Sequence, residues 1–407
     1  MSGAHHAGWE RVPLGEVCRL QGGYAFKSAA FTAHGVPIVR MSNMKETGLD
    51  LTGAVCYPEE LLAGLDRFLL RPGDLLLGMS GSIGFSAQVT EAHTPSLLNQ
   101  RVGRLLVDPS RLSVDYLAQL VKSSRFQKTL HTLASGGAPA NLSAKDVENM
   151  LIDLPPLPEQ ERIAEILGTV DLALAKTDAI IAGTQEVKLG TLDRLLQQGI
   201  GHERFQQTEL GELPAAWQAV PLGEVCRVNP SYRLAKGQTY PYLEMAALDT
   251  TLPEIHYLLE REVTAPGGTR FQPGDVLFAR ITPCTENGKI GLVPDLPGGV
   301  GFGSTEFIVL SPMRELLLPE FLYYTVRSDR VRQYAISRMS GTTGRQRVPG
   351  EVFKEELLIA LPPVSEQQRI GEILRSLDRK IAAEQTSRRG LLELKAALAD
   401  LLLRPKS

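Results

Sequence analysis

Apolar residues in this 407-residue chain follow two different rhythms, and the changes between them mark its elements. Short continuous runs such as Leu75-Leu76-Leu77 and Val276-Leu277-Phe278 each follow a Pro-Gly-Asp turn (Pro72-Gly73-Asp74 and Pro273-Gly274-Asp275), which predicts a tight turn feeding an apolar strand. Residues 115–133 and 320–339 carry apolar positions at helical spacing and are expected to form amphipathic helices, opened by Tyr116-Leu117 and Phe321-Leu322. Two much longer helical stripes then follow. One runs over about residues 159–199 through Ile163, Ile166, Leu167, Val170, Leu174, Ile181, Leu189, Leu192 and Leu196. The other runs over about 366–403 through Ile370, Ile373, Leu374, Leu377, Ile381, Leu391, Leu394, Leu398 and Leu402. Pro155-Pro156 and Pro362-Pro363 bar helix upstream of each, and Ser365 with Gln368 reads as a capping box. Small and polar residues interrupt both stripes near the middle (Gly183-Thr184-Gln185, Arg388-Arg389-Gly390). Some 40 residues at about 1.5 Å per residue span roughly 60 Å, and a narrow stripe of that length calls for a helical partner. The expected partner is the other long helix, paired antiparallel about a pseudo-twofold axis, holding two globular parts at opposite ends of a rod. The alternative, each helix packed only on its own globular part, leaves the length unexplained. Strands mixed with helices make the expected fold class α+β.

The same frame occurs twice. Val12-Pro13-Leu14-Gly15-Glu16-Val17-Cys18-Arg19 recurs unchanged from Val220 to Arg227, with Trp9 and Trp217 ahead of the two copies. Farther on, Leu154-Pro155-Pro156-Leu157-Pro158-Glu159-Gln160-Glu161-Arg162-Ile163 is matched by Leu361-Pro362-Pro363-Val364-Ser365-Glu366-Gln367-Gln368-Arg369-Ile370. Between these segments the halves diverge. The expected organisation is a first globular domain over 1–153, a helix and linker over 154–208, a second globular domain over 209–360 and a second helix over 361–407. Two matched frames with different fillings suggest one task performed on two different targets.

Composition narrows the class without naming it. Apolar content of 43% and charged content of 22% are those of a globular protein whose halves can each bury a core. No apolar run approaches the roughly 20 residues that span a bilayer, and residues 1–9 lack a leader pattern, so a cytoplasmic protein with no membrane partner is expected. Cys18, Cys56, Cys226 and Cys284 form no CxxC pair, and Cys18 and Cys226 read as small buried hydrophobes. The seven histidines are scattered, so no metal site is expected. Net charge of −3 argues against a uniformly basic surface, yet seven Lys/Arg against two acids lie in 99–145, and seven arginines against three acids in 314–347. Such runs are either solvated faces or contacts for a polyanion, and their recurrence at matching places favours the second.

No catalytic constellation is found. There is no GxxxxGK[ST] phosphate loop. Gly78-Met79-Ser80-Gly81-Ser82-Ile83-Gly84 misses the dinucleotide fingerprint and reads as a turn with exposed amides. Asn229-Pro230-Ser231-Tyr232 has the look of an amino-methyltransferase motif, but no glycine-rich cofactor strand precedes it. Glu286-Asn287-Gly288-Lys289 after Asp275 has one residue too many for a nuclease Asp…Glu-x-Lys.

The doubled Leu-Pro-Pro…Glu-Gln entry into a long helix, the Pro-Gly-Asp strands and Gly303-Ser304-Thr305-Glu306-Phe307-Ile308-Val309-Leu310 resemble the DNA-specificity (S) subunit of type I restriction–modification systems over essentially the whole chain. The resemblance implies two target recognition domains (1–153 and 209–360), each reading one half of a bipartite, asymmetric site in double-stranded DNA. It implies paired helices that set the unread spacer and dock two methyltransferase (M) subunits, with restriction (R) subunits joining them. It also implies a non-enzymatic chain without cofactor, S-adenosylmethionine, ATP and Mg being held by the partners. Ile163, Leu167, Val170, Leu174, Ile181, Ile370, Leu374, Leu377, Ile381, Leu391 and Leu398 would serve helix pairing and docking.

Candidate base readers are polar residues at equivalent loop positions, since Asn, Gln and Arg pair bidentately with purine edges. They are Ser80 and Ser82 against Arg280, Thr282 and Lys289; Asn99, Gln100 and Arg101 against 304–306; and Ser135, Asn141 and Lys145 against Ser340, Thr342, Thr343, Arg345, Gln346 and Arg347. Each is otherwise a solvated or structural loop residue. Two rival functions stand beside DNA recognition: a fused, type II-like restriction and methylation enzyme, and a protein-binding scaffold.

Overall fold

The computed structural model describes residues 8–45, 48–81, 83–134, 142–264, 267–342 and 344–405. The chain divides into two compact units, Met1–Lys176 with Arg388–Ser407, and Thr177–Ser387. The first contains helices α1 (Val114–Lys122), α2 (Ser124–Ala134) and α3 (Ala144–Glu148), and the opening part of α4 (Leu157–Gln198). The second contains α5 (Leu222–Val225), α6 (Pro319–Arg327), α7 (Asp329–Ser337) and most of α8 (Val364–Leu402). Each unit therefore holds a stretch of both long helices.

A four-stranded antiparallel sheet organises each unit. In the first unit its order is Cys18–Gly22, Val102–Val107, Leu75–Gly78, Ser86–Gln88; in the second it is Cys226–Val228, Phe307–Pro312, Val276–Ala279, Ile290–Leu292. The strand after each Pro-Gly-Asp turn is apolar without interruption because the sheet is covered on both faces and successive side chains point opposite ways. Leu75 and Leu77 enter a core with α1, α2 and α4, while Leu76 enters a second core with Ile38, Val39 and Leu97. Val276 and Phe278 face α6 and α8, while Leu277 joins Leu243, Phe271 and Val309. The turns themselves need glycine, since Gly73 and Gly274 have φ of 92° and 86°. Their aspartates close the turn: Asp74 accepts from the Arg71 amide at 2.9 Å, and Asp275 from the Gln272 amide at 2.8 Å.

The repeated segments of each half come together. Glu10–Pro13 pairs antiparallel with Leu151–Leu154, and Gln218–Pro221 with Leu358–Leu361. The Trp9 indole donates to Glu159 at 3.0 Å, and the Trp217 indole to Glu366 at 2.9 Å. Gln160, wholly buried, accepts from the Ser113 amide at 2.8 Å and donates to the carbonyls of Arg111 and Pro155, each at 2.8 Å. Gln367, also wholly buried, makes the same three bonds to Leu318, Leu316 and Pro362 at 2.8, 2.7 and 2.9 Å. The Glu-Gln pair of the repeated motif thus fastens the start of each long helix to its domain.

Three expectations need correction. The helices over 115–133 and 320–339 are each broken in two, because Ser123 and Ser328 bond back to Leu120 and Thr325 and at the same time cap the next helix. Helix α8 starts at Val364, so Ser365 lies inside its first turn, and Gln368 donates to Glu372 at 3.0 Å instead of closing a capping box. The buried stripe of α4 leaves the purely apolar track: Leu189 is 59% exposed, whereas Thr177, Thr184 and Lys188 are buried. Spacings of three and four carried on from Leu174 reach Thr177, Thr184, Lys188 and Leu192, and Leu189 falls one residue off that line. Leu394 is 48% exposed for the matching reason in α8. Of the other predicted stripe residues, Ile163, Leu167, Val170, Leu174, Ile370, Leu374 and Ile381 are buried, and Ile181, Leu377, Leu391 and Leu398 half-buried.

The two long helices run antiparallel within each unit. In the first, Ile163 and Leu167 share a core with Leu403, and Asp171 pairs with Lys395. In the second, Lys188 pairs with Asp378, and the Ile200 amide just beyond α4 donates to Glu366 near the start of α8. The two ion pairs are the same pair in the repeat, Asp171 matching Asp378 and Lys188 matching Lys395. Each aspartate has a second donor at an equivalent position, Gln119 at 2.9 Å in one unit and Tyr324 at 2.6 Å in the other.

Candidate nucleic-acid interface

In each unit three segments far apart in sequence are tied together by the same backbone bonds. In the first unit the Met79 amide donates to Arg101, and the Leu142 amide to Met79. In the second the Arg280 amide donates to Glu306, and the Val348 amide to Arg280. The loop after the Pro-Gly-Asp strand is therefore bracketed by the other two candidate loops in both units. These bonds join the segments that bear Ser80, Gln100, Arg101 and Lys145 within the first unit, and those that bear Arg280, Thr282, Ser340, Thr342, Arg345, Gln346 and Arg347 within the second. Ser82, Ser135, Asn141 and Thr343 lie outside the described residues.

Gln100, Arg101 and Lys145 are exposed, and Ser80 is half-buried. Asn99 is not available for reading: it is 6% exposed, and its Oδ1 accepts from the Arg101 amide at 3.3 Å. Lys145 lies in α3, whose start is capped by Ser143 and Asp146. Gln127 holds the glycine-rich turn by donating to the Gly84 carbonyl at 2.8 Å.

In the second unit Ser340 and Arg347 exchange reciprocal amide bonds, and the Thr282 amide donates to the Gln346 carbonyl. The Arg347 guanidinium meets Glu306 at 2.7 to 3.1 Å through Nη2 and Nε, which holds the Glu306 carboxyl below its usual range. Arg280, also a cationic neighbour of Glu306, has a buried Nε with no hydrogen-bond partner. Arg345 and Gln346 are exposed at the tip. Lys289 points inward, its Nζ donating to the Met245 carbonyl at 2.9 Å, and Thr282 Oγ1 donates to Glu286 at 2.9 Å.

Most of the basic runs turn out to be consumed internally. Arg104 is buried against Asp74, Gln21 and two carbonyls; Arg125 pairs with Asp153 and Arg338 with Glu356; and Arg314, Arg330 and Arg332 donate to backbone carbonyls. The count of basic residues therefore overstated the surface charge, because arginine's planar fork serves as readily to fasten loops as to meet a phosphate. Two contacts went unread in the sequence. Lys188 donates to the Thr251 carbonyl at 2.8 Å, and Arg327 to the carbonyls of Thr250 and Gly288. A lysine in phase with the buried stripe, between Thr184 and Leu192, was the signal that could have found the first.

The false leads resolve structurally. Asn229, with φ of 49°, exchanges bonds with Val309, and the Tyr232 hydroxyl lies within hydrogen-bond distance of Ser311 and Asp275 at 3.1 and 3.3 Å, so the Asn-Pro-Ser-Tyr segment ties strands together. Burial pushes the Cys18 thiol up to about 12 and the Cys226 thiol higher still, as expected of small buried hydrophobes. Among the described residues no group of three or more His, Cys, Asp and Glu could hold a metal, and no helix is long and apolar enough to cross a membrane.

The model of the type I restriction modification DNA specificity domain matches residues 6–182 and 214–393. The chain belongs to this family. The two matches fall one on each half, as the duplicated frame requires. Among related specificity subunits, that of type I restriction enzyme EcoEI from Escherichia coli is 30% identical over 53% of this chain and 35% of its own length. The EcoAI subunit, also from Escherichia coli, is 30% identical over 46% of this chain and 31% of its own length, so these matches span about a third of either relative. The EcoKI subunit is 23% identical over 93% of this chain and 83% of its own. A solved type I S subunit from M. genitalium superposes with a TM-score of 0.61 at 16% identity, covering 100% of this chain and 98% of that one. A second structure, from work on assembly and conformational transition of the type I R-M system, gives 0.54 at 20% identity over 98% of each chain. Specificity-family folds of this kind combine α and β elements as found here.

Proposed function

We propose that this chain is the sequence-reading subunit of a type I restriction–modification complex, with each unit reading one half of a bipartite, asymmetric site in duplex DNA. The observation that carries the reading is the repeated three-loop bracket: the same backbone bonds hold loops whose exposed side chains differ, Gln100, Arg101 and Lys145 in one unit and Arg345 and Gln346 in the other. Base edges are read by such side chains, whereas phosphate contacts only fix register. Arg347 then acts through Glu306 to hold the loop, and Asn99, Thr282 and Lys289 serve the loops' construction. The paired helices fix the length of the unread spacer and dock two adenine methyltransferase subunits, to which restriction subunits add. Those partners hold S-adenosylmethionine, ATP and Mg and clamp the duplex while the target adenine is flipped out, so the reading subunit itself needs no catalytic group. Replacing residues 20–150 with those of another family member is expected to change one half of the methylated sequence and leave the other intact. Sequencing that maps methylated adenines in the host genome reads the outcome. A change in both halves, or in neither, is incompatible with modular reading.

A further inference from the structure

The repeat supplies its own control for what fastens a reading domain to the helix pair. Asp171–Lys395 and Lys188–Asp378 are equivalent ion pairs across the antiparallel helices. They differ in burial, the Lys188 and Asp378 side chains being 7% and 0% exposed against 18% and 32% for Lys395 and Asp171, and in the contacts of the lysine. Lys395 has Asp171 as its only hydrogen-bond or ion-pair partner among the described residues, whereas Lys188 also donates to the Thr251 carbonyl at 2.8 Å. Lys188 is 5% exposed and Asp378 wholly buried. Burial lowers the Lys188 ammonium pKa and the Asp378 carboxylate pulls it back up, so the pair is held together out of water. The loop that Lys188 grips is itself tied by the Asp249 side chain. Asp249 accepts from the Thr251 amide and hydroxyl and from the Leu252 amide, and pairs with His256 at 3.0 Å. Arg327, on α6, clamps the neighbouring Thr250 carbonyl. Lys289, on the bracketed loop next to the candidate readers, holds the Met245 carbonyl a few residues upstream. A short chain of strong contacts thus leads from the helix seam to the reading loops of the second unit, and the first unit shows no equivalent to it among the described residues.

We infer that Lys188 is a positioning residue which, through Asp378 and the Thr251 carbonyl, fixes the second unit's reading loops on the spacer helices and so determines how strictly the gap between half-sites is measured. This rests on the DNA-reading function proposed above. Removing Lys188 alone would leave Asp378 as an unpaired buried charge, so the test uses Lys188→Met with Asp378→Asn, which keeps an acceptor for Tyr324. The control is Lys395→Met with Asp171→Asn. Each is assembled with the methyltransferase subunits and offered duplexes carrying the native half-sites with the spacer unchanged, one base pair shorter or one longer. The Lys188 variant is expected to keep both half-sites while its preference for the native spacer falls about tenfold; the control is expected to keep wild-type preference. If the Lys188 variant does not assemble, Arg327→Met, which removes the Thr250 and Gly288 clamps and the contact with the Tyr323 ring but keeps the Lys188–Asp378 pair, is read by the same criterion. Unchanged spacer preference, or an equal loss in the control, overturns the inference while leaving the reading function standing. Failure of the wild-type complex to prefer any two-part site overturns both.

Discussion

Single side chains carry more of this fold than their number suggests. Gln160 and Gln367 sit at the mouths of the long helices with both amide hydrogens and the amide oxygen engaged: one acceptor bond and two donor bonds apiece. A buried amide in that position costs little while satisfied and a good deal once it is removed, because its partners are then stranded. Gln367→Ala is accordingly expected to destabilise the second unit by about 2–4 kcal/mol, read as a fall in denaturant midpoint without loss of helix content. Gln367→Glu, which sets a buried carboxylate oxygen against the Leu316 and Pro362 carbonyls, should cost at least as much as alanine. The repeated Glu-Gln was legible as a helix-entry signal, but its role as a fastening was not, because two of the three atoms each glutamine bonds lie about fifty residues earlier in the chain.

At the scale of elements, the Pro-Gly-Asp turns gave the strands that follow them and periodicity gave the long helices, and the errors fall where polar residues do structural work. A serine broke each predicted amphipathic helix without disturbing its apolar stripe, since a side chain that bonds back to the preceding turn and caps the next one leaves the spacing of its neighbours unchanged. Thr184 and Lys188 took seam positions that hydrophobicity assigned to Leu189. The 340–347 loop was legible as a candidate from its Arg-Gln-Arg composition, yet its two arginines do different things. Arg347 is pinned by Glu306, and Arg345 is exposed with no hydrogen-bond partner for its side chain among the described residues. Arg345→Glu is expected to weaken duplex binding and flatten the logarithmic salt dependence by about one unit of slope, as loss of one phosphate or base contact requires. Glu306→Gln, which loosens the loop without removing a DNA-facing charge, should weaken binding with the slope retained. Titration of affinity against salt separates the two.

For the molecule as a whole, the duplication was readable from identical octapeptides, and the antiparallel relation of the helices followed from their length and order. What composition could not give was the surface charge, because most of the arginines in the two basic runs are spent on carboxylates and carbonyls within their own unit. Nor could it give the partition of the chain, in which residues 388–407 belong with the first unit. Leu403 is 5% exposed there, with Leu398, Ala399 and Leu402 packed beside it and Lys395 on Asp171. Deleting 388–407 should therefore cost the first unit about 3–5 kcal/mol and barely affect the second, although the second is nearer in sequence. Hydrogen exchange that lost protection mainly in the second unit would contradict this.

That partition also bears on the order in which the chain is made. A ribosome releases residues 1–176 long before residues 388–407 exist, so the first domain to emerge is the later one to be finished. Until then the faces of Ile163 and Leu167 that Leu403 will cover stay open, and sticky, in the nascent chain. The second domain, whose segments lie together between residues 177 and 387, can close while its predecessor waits. Synthesis thus withholds a completed helix pair until residues 388–407 have been made.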